Sequence, residues 1–181
     1  TVKYNPMRLV VDDGGRIYVV SKDCYNGLIE LSSDGQFTKF MGATKNKQNF
    51  FSIFYFLLSD KLKGQTVKNL STEYSSVYLD PDGLIFGTIT ALKAEDLQSA
   101  IKANSEIGAP IRRLTADGSD VLQRKGKIGP AGDNGNITDR QTFSAFVDVC
   151  VADDGIYSAL DENKGRVFTY NTTGDLLYVF G

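Results

Sequence analysis

One phrase recurs three times along the chain and limits what it can fold into: a β-branched or aromatic run, a glycine-bearing turn, then a second apolar run. In the first copy Leu9-Val10-Val11-Asp12 leads through Asp13-Gly14-Gly15 to Ile17-Tyr18-Val19-Val20. In the second, Val77-Tyr78-Leu79-Asp80 leads through Asp82-Gly83 to Leu84-Ile85-Phe86. In the third, Val147-Asp148-Val149-Cys150-Val151 leads through Asp154-Gly155 to Ile156-Tyr157. Each copy is followed by another pair of apolar runs around a turn, at Ser33-Asp34-Gly35, Asp117-Gly118 and Thr173-Gly174. The aromatic residue falls one position earlier in the third copy, which reads as a slip in the repeat.

Asp-Gly supplies the positive φ that a tight hairpin needs, and β-branched and aromatic residues fill pleated, half-buried strands. Four short strands in a unit of roughly 40 residues is the arithmetic of a propeller blade. A single such hairpin would fit any β-sandwich, whereas six turns in three paired sets favour the propeller. The expected fold class is therefore all-β, a partial β-propeller of about three four-stranded blades with short helical insertions. As one partial propeller over 1–181, it divides into blade one at 6–42, a helical insertion at 43–70, blade two at 71–124 with a helical insertion at 91–105, a loop at 125–141, and blade three at 142–181.

In the first insertion Phe50, Ile53, Phe54, Leu57 and Leu58 recur at helical spacing and predict an amphipathic helix over 49–62. Phe51, Tyr55 and Phe56 lie off that stripe and are the expected interaction residues, for a missing blade, a partner domain or a membrane interface. The second insertion predicts a short helix over 92–104, with Glu95 and Asp96 suited to its N-terminus. The third is glycine-rich and reads as a long loop. Its Asp133, Asn134, Asn136 and Asp139 are oxygen donors without the spacing of an EF-hand, and turn formation explains them more simply.

A composition 41% hydrophobic supports a sizeable core, and a net charge of −2 gives no global attraction to nucleic acid, so no nucleic-acid partner is expected. Arg112-Arg113 and Arg124-Lys125-Lys127 are small basic groups of the kind that loops normally carry in water. The longest apolar run, 50–58, is far short of the ~20 residues needed to cross a bilayer. Membrane association is left open. Two cysteines are too few for a disulfide scaffold, and Cys150, in an apolar run, is expected to be a buried thiol.

The pattern Val-Val-Asp-x-x-Gly-x-Ile-Tyr-Val, followed by Gly-x-Ile-x-x-Leu-x-x-Asp-Gly-x-Phe and a closing Phe-x-Gly, resembles the NHL repeat. Residues 6–42 and 145–181 carry it well, and the middle unit carries it with insertions. Thr72-Glu73-Tyr74-Ser75, Pro110-Ile111-Arg112-Arg113-Leu114 and Leu177-Tyr178-Val179-Phe180-Gly181 are together similar to NHL-repeat proteins of Gram-positive gut bacteria, loosely labelled gluconolactonase-like. The resemblance implies a bacterial protein, placed at the cell surface or membrane by segments outside these residues. It also implies a ring of about six blades, so that three leave open edges for the remaining blades, another protein chain or self-association.

For function, the absence of histidine rules out Ser-His-Asp and Cys-His nucleophile systems within this chain. It likewise rules out the histidine-held zinc of amidating-lyase relatives of the NHL fold. The reading adopted is a non-catalytic interaction scaffold for a protein or ligand in a larger bacterial protein, with no cofactor and no catalytic or metal-binding residue assigned. The alternative, which rests on the resemblance, is part of a lactonase-like six-bladed hydrolase using a divalent metal such as calcium. Glu30, Glu73 and Glu162 are its candidates by residue type alone.

Overall fold

The structure, a computed structural model, describes residues 4–43, 73–89, 109–126, 129–133 and 144–181. They form three antiparallel sheets. The first runs β1 (Pro6–Val11), β2 (Ile17–Ser21), β3 (Leu28–Leu31), β4 (Phe37–Met41), each strand beside the next in sequence. The second holds β5 (Tyr74–Leu79), β6 (Ile85–Ile89) and β7 (Ile111–Leu114), and the third holds β8 (Phe146–Val151), β9 (Tyr157–Asp161), β10 (Arg166–Tyr170) and β11 (Leu176–Phe180). Three such meanders packed face against face are successive blades of a partial β-propeller.

The six turns share one geometry. In the turns starting at Asp12, Ser32, Asp80, Thr115, Ala152 and Asn171, the N–H of the fourth residue, always glycine, donates to the carbonyl of the first at 2.8–3.0 Å. Only that glycine takes positive φ, between 76° and 84°. This is a type I turn closed by one left-handed residue, which matches the right-handed twist of the strands it joins. In the first turn the residue is Gly15 rather than Gly14. Asp, Asn, Ser or Thr opens five of the turns because its side chain accepts the N–H four residues on, as Asp12 does from Arg16 at 2.9 Å and Asp80 from Leu84 at 2.8 Å. Where Ala152 opens the turn, Asp154 Oδ1 instead accepts the Ile156 N–H at 3.0 Å.

Cross-strand partners share a sheet face, so register decides which side chains meet the next blade. Tyr18, Val20, Leu28 and Met41 of the first blade pack against Tyr74, Val77, Ile85, Ile89 and Leu114 of the second. Phe86 and Ile111, on the opposite face of the second blade, pack against Phe146, Val149, Val151, Tyr157, Ala159, Phe168 and Tyr170 of the third. Polar ties cross the seams too: Tyr74 Oη donates to the Gly42 carbonyl at 2.8 Å, and Tyr78 Oη to that of Val151 at 3.2 Å.

Three expectations are corrected. The aromatic of the third unit has not slipped in the sheet: Tyr157 pairs with Val151 as Ile17 does with Val11, so it faces the preceding blade while Tyr18 and Phe86 face the following one. The second blade has three strands among the described residues, with only an isolated bridge, Leu114 to Asp120, where a fourth was expected. Side chains take the backbone partners there: the Arg124 guanidinium donates to the Ile111 carbonyl at 2.8 Å, and Asp120 Oδ1 accepts the Arg113 N–H at 3.2 Å. Cys150 is exposed, because strand alternation turns it away from the seam its neighbours Val149 and Val151 fill, whereas Cys24 is buried. The helices expected at 49–62 and 92–104, with Phe51, Tyr55 and Phe56, lie outside the described residues.

Candidate functional site

A cleft of about 280 Å³ opens where the first turns of blades two and three lie side by side. Asp80-Pro81-Asp82 forms one wall, and Asp153-Asp154-Gly155 with Thr172 forms the other. Phe86, Leu122, Val151 and Tyr157 line it from the seam, so the cleft has an apolar lining beneath an acidic rim. Four carboxylates face one guanidinium, that of Arg113.

Arg113 organises the first wall. Its Nε donates to Asp80 Oδ2 at 2.7 Å, its Nη2 reaches Asp80 Oδ2 at 2.6 Å and Asp82 Oδ2 at 2.7 Å, and it lies 5.7 Å over the Phe86 ring. Asp80 is buried and fully committed to Arg113 and the turn, whereas Asp82 is exposed and Asp153 and Asp154 are open to water. Burial disfavours the Arg113 cation, but its hydrogen bonds and charge pairing with Asp80 and Asp82 outweigh this and raise its pKa. The Phe86 and Tyr157 rings pack 5.3 Å apart below. Burial pushes the Tyr157 phenol well above its ordinary value, and its hydroxyl has no hydrogen-bond partner among the described residues.

A second cluster sits where the innermost strands converge. Arg8, Ser76 and Asp148 hold the same place in β1, β5 and β8, just after a register shift that recurs in all three strands. A bulge bends the strand and re-aims the next side chain. Here it brings three blades together: Arg8 Nη1 lies 2.9 Å from Asp148 Oδ2, and Ser76 Oγ donates to Asp148 Oδ1 at 2.5 Å. Partial burial opposes ionisation of Asp148, yet the bonds from Ser76 and Arg8 and the Arg8 charge hold its carboxyl below the usual value.

The candidates read from residue type are not brought together. Glu30 is buried beside Lys39, at 3.4 Å; Glu73 accepts the Asp23 N–H at 2.9 Å; Glu162 is exposed after β9. Among the described residues no group of three or more His, Cys, Asp or Glu side chains is placed to hold a metal ion. Asp133, considered as a calcium ligand, is held instead by Lys164 at 2.9 Å and Arg166 at 2.8 Å, and the hydrogen bond from Lys164 in particular lowers its pKa. Asn134, Asn136 and Asp139 lie outside the described residues. Two of the basic residues turn inward, Arg112 donating to the Gly42 carbonyl at 3.3 Å and Arg124 pairing with Asp120 at 2.6 Å, while Lys125 pairs with Asp175 at the surface.

Sequence reasoning missed both the cleft and the axial cluster. The signal for the cleft was present, since consecutive units carry two carboxylates in their first turns, Asp80 with Asp82 and Asp153 with Asp154. What was lacking was the seam that sets those turns side by side.

No protein-family model matches the chain, and no curated protein matches it. Among solved structures it is similar to virginiamycin B lyase from Staphylococcus aureus, with a TM-score of 0.52 and 14% identity, over 96% of this chain and 40% of that one. It is similarly related to a catalytically inactive histidine-to-alanine variant of that enzyme with quinupristin, at a TM-score of 0.52 and 13% identity, over 98% of this chain and 41% of that one. The chain thus spans about two fifths of those proteins. Likeness at such identity concerns the fold, which is propeller-type, and carries no activity with it.

Proposed function

We propose that the chain is an NHL-type propeller segment that works as a non-catalytic interaction scaffold within a larger bacterial protein. The cleft between the turns of blades two and three carries this reading. It is a concave, largely preformed site with an apolar lining and a rim of turn residues, and rigid strands hold its walls in place. Among the described residues its rim has no lysine and one arginine against four carboxylates, so the complementary partner is a peptide or protein segment presenting Lys or Arg beside an apolar side chain.

Two observations support the NHL assignment. Six turns of one geometry and a bulge repeated in each innermost strand are those of a true repeat, as the NHL resemblance implies.

The test is a titration of the protein with short Lys/Arg-bearing peptides and acidic counterparts, read by NMR shifts. Expected are shifts at Asp82, Asp153 and Thr172 with the basic peptides alone, weakened by salt and by Asp82→Asn with Asp153→Asn. Equal response to both peptide classes, or to neither, would sink the reading. Lactone hydrolysis dependent on a divalent metal would put a hydrolase in its place.

A further inference from the structure

The cleft between blades two and three combines aromatic rings with carboxylates, the two means by which proteins hold a cationic side chain. The rings are closed to a ligand. Phe86 is 2% exposed, carries the Arg113 guanidinium over its ring and has the Tyr157 ring 5.3 Å away. Tyr157 is 1% exposed and stacks at 5.5 Å on Tyr170. A cation must lie over a ring face within about 6 Å of its centroid, and both rings already give their faces to the seam. The carboxylates differ from wall to wall. On the blade-two wall, Asp80 accepts from Leu84 and Arg113, and Asp82 shares the same guanidinium at 2.7 Å, so that wall is partly neutralised from within. On the blade-three wall, Asp153 and Asp154 are exposed, and no basic side chain of the described residues pairs with either. Asp154 gives Oδ1 to the Ile156 N–H at 3.0 Å. The apolar surface that stays open belongs to blade two, where Pro81 is exposed and Val121 is 43% exposed.

We infer that the cleft takes a single unmodified lysine or arginine side chain of the partner, its aliphatic stem lying on Pro81 and Val121 and its charged head donating hydrogen bonds to Asp153 and Asp154. The inference rests on the scaffold reading and names the group that the partner must present. Long cationic side chains settle with the stem along apolar surface and the head in polar surroundings, and the two walls of the cleft offer that pair of surfaces. Charge complementarity places the head on the blade-three wall, because Arg113 repels a second cation from its own. With the ring faces closed, the head is held through its N–H donors. Trimethylation of lysine keeps the charge and removes those donors, so the modified side chain that aromatic cages favour is the one this cleft rejects.

NMR titration of the full 181-residue chain with blocked Gly-Gly-X-Gly-Gly peptides tests this, with X as lysine, arginine or Nε-trimethyllysine. Lysine and arginine should both shift Asp153, Asp154 and Val121, and trimethyllysine should bind about tenfold more weakly. Asp153→Asn with Asp154→Asn should weaken the lysine peptide about tenfold, and Asp82→Asn or Val121→Ser about threefold each. All four side chains are exposed, so circular dichroism should show the fold retained. Trimethyllysine binding as tightly as lysine would overturn the inference and leave the scaffold reading standing, since the cleft would still hold a cationic partner. So would a loss at Asp82→Asn larger than that of the double variant, which would put the head on the other wall. No response to any of the three peptides would remove both readings. Should a variant fail to fold, the peptide series on the unaltered protein decides.

Discussion

Arg8 and Asp148 form a 2.9 Å ion pair that joins the innermost strands of the first and third blades and passes the strand of the second between them. Both side chains are more than two fifths exposed, so the pair contributes below about 1 kcal/mol and weakens with salt. A double-mutant cycle with Arg8→Met and Asp148→Asn, read by urea unfolding, should return a coupling in that range. Asp148→Ala should cost more than Arg8→Ala, by about 1–2 kcal/mol, because it strips the buried Ser76 hydroxyl of its acceptor. Equal effects would mean that Ser76 finds another partner. The Asp148 pKa is lower folded than unfolded, so its contribution is present above the ordinary carboxylate value of 3.8 and is lost as pH falls through the folded one.

The seams also set an alkaline limit. Burial raises the phenols of Tyr18, Tyr74 and Tyr170 to about 12, with the Asp12 hydrogen bond adding to Tyr18, and raises Tyr157 further. A folded pKa above the unfolded value of 10.0 gives stability that is complete below pH 10 and disappears as pH rises through the folded values. The urea midpoint should therefore hold steady from pH 7 to 9.5 and fall steeply between 10 and 12. A flat profile to pH 12 would show that these rings are hydrated.

Tyr157 and Tyr170 stack 5.5 Å apart yet should respond differently to loss of the hydroxyl. Tyr170 Oη accepts the Gly132 N–H at 3.0 Å, so Tyr170→Phe orphans a donor and should cost about 1–2 kcal/mol. The Tyr157 hydroxyl is buried without a partner among the described residues, so Tyr157→Phe removes an uncompensated polar group and should be neutral or stabilising by up to about 1 kcal/mol. Calorimetric melting of the two variants checks the order.

In the cleft wall, Arg113→Leu leaves the buried Asp80 carboxylate, among the described residues, with the Leu84 N–H alone as side-chain partner. Breaking a fully buried pair costs about 3–5 kcal/mol, and the partial exposure of Arg113 reduces this to about 2–3. Asp80→Asn, which keeps the turn contact, should cost less. Urea unfolding with an unchanged m-value would confirm that only stability has moved.

Much of the fold was legible in the sequence because its turns are dictated by single residues. A glycine at the fourth position and a short polar side chain at the first leave the backbone few alternatives, and all six turns formed where those residues stand. Legibility fails where the outcome depends on a face rather than on a turn. The sequence placed Tyr157 in its strand but did not show that it faces the second blade, and Cys150 among apolar residues did not reveal that alternation turns it outward. Among the described residues the second blade has no fourth strand, because Asp120 and Arg124 side chains take the backbone partners of β7, which no strand propensity records. The cleft and the Arg8–Ser76–Asp148 cluster each need residues about 70 positions apart to meet, and only the seams bring that about.

The junction of the first two blades supplies the sharpest contrast between two glycines with the same backbone hand. Gly42 has φ 67°, and its carbonyl accepts bonds from Tyr74 Oη and Arg112. A Cβ there would collide with Leu114 Cδ1 and lie 2.5 Å from the Tyr74 hydroxyl, both buried in the seam and unable to retreat. Gly35 has φ 81° at an exposed turn, and a Cβ there would meet nothing within 4 Å. Gly35→Ala should therefore cost only the left-handed strain of about 1 kcal/mol. Gly42→Ala adds overpacking of a closed seam to the same strain and should cost about 3 kcal/mol or more. Paired melting curves separate the two, and equal shifts would mean that the first seam yields to a methyl group.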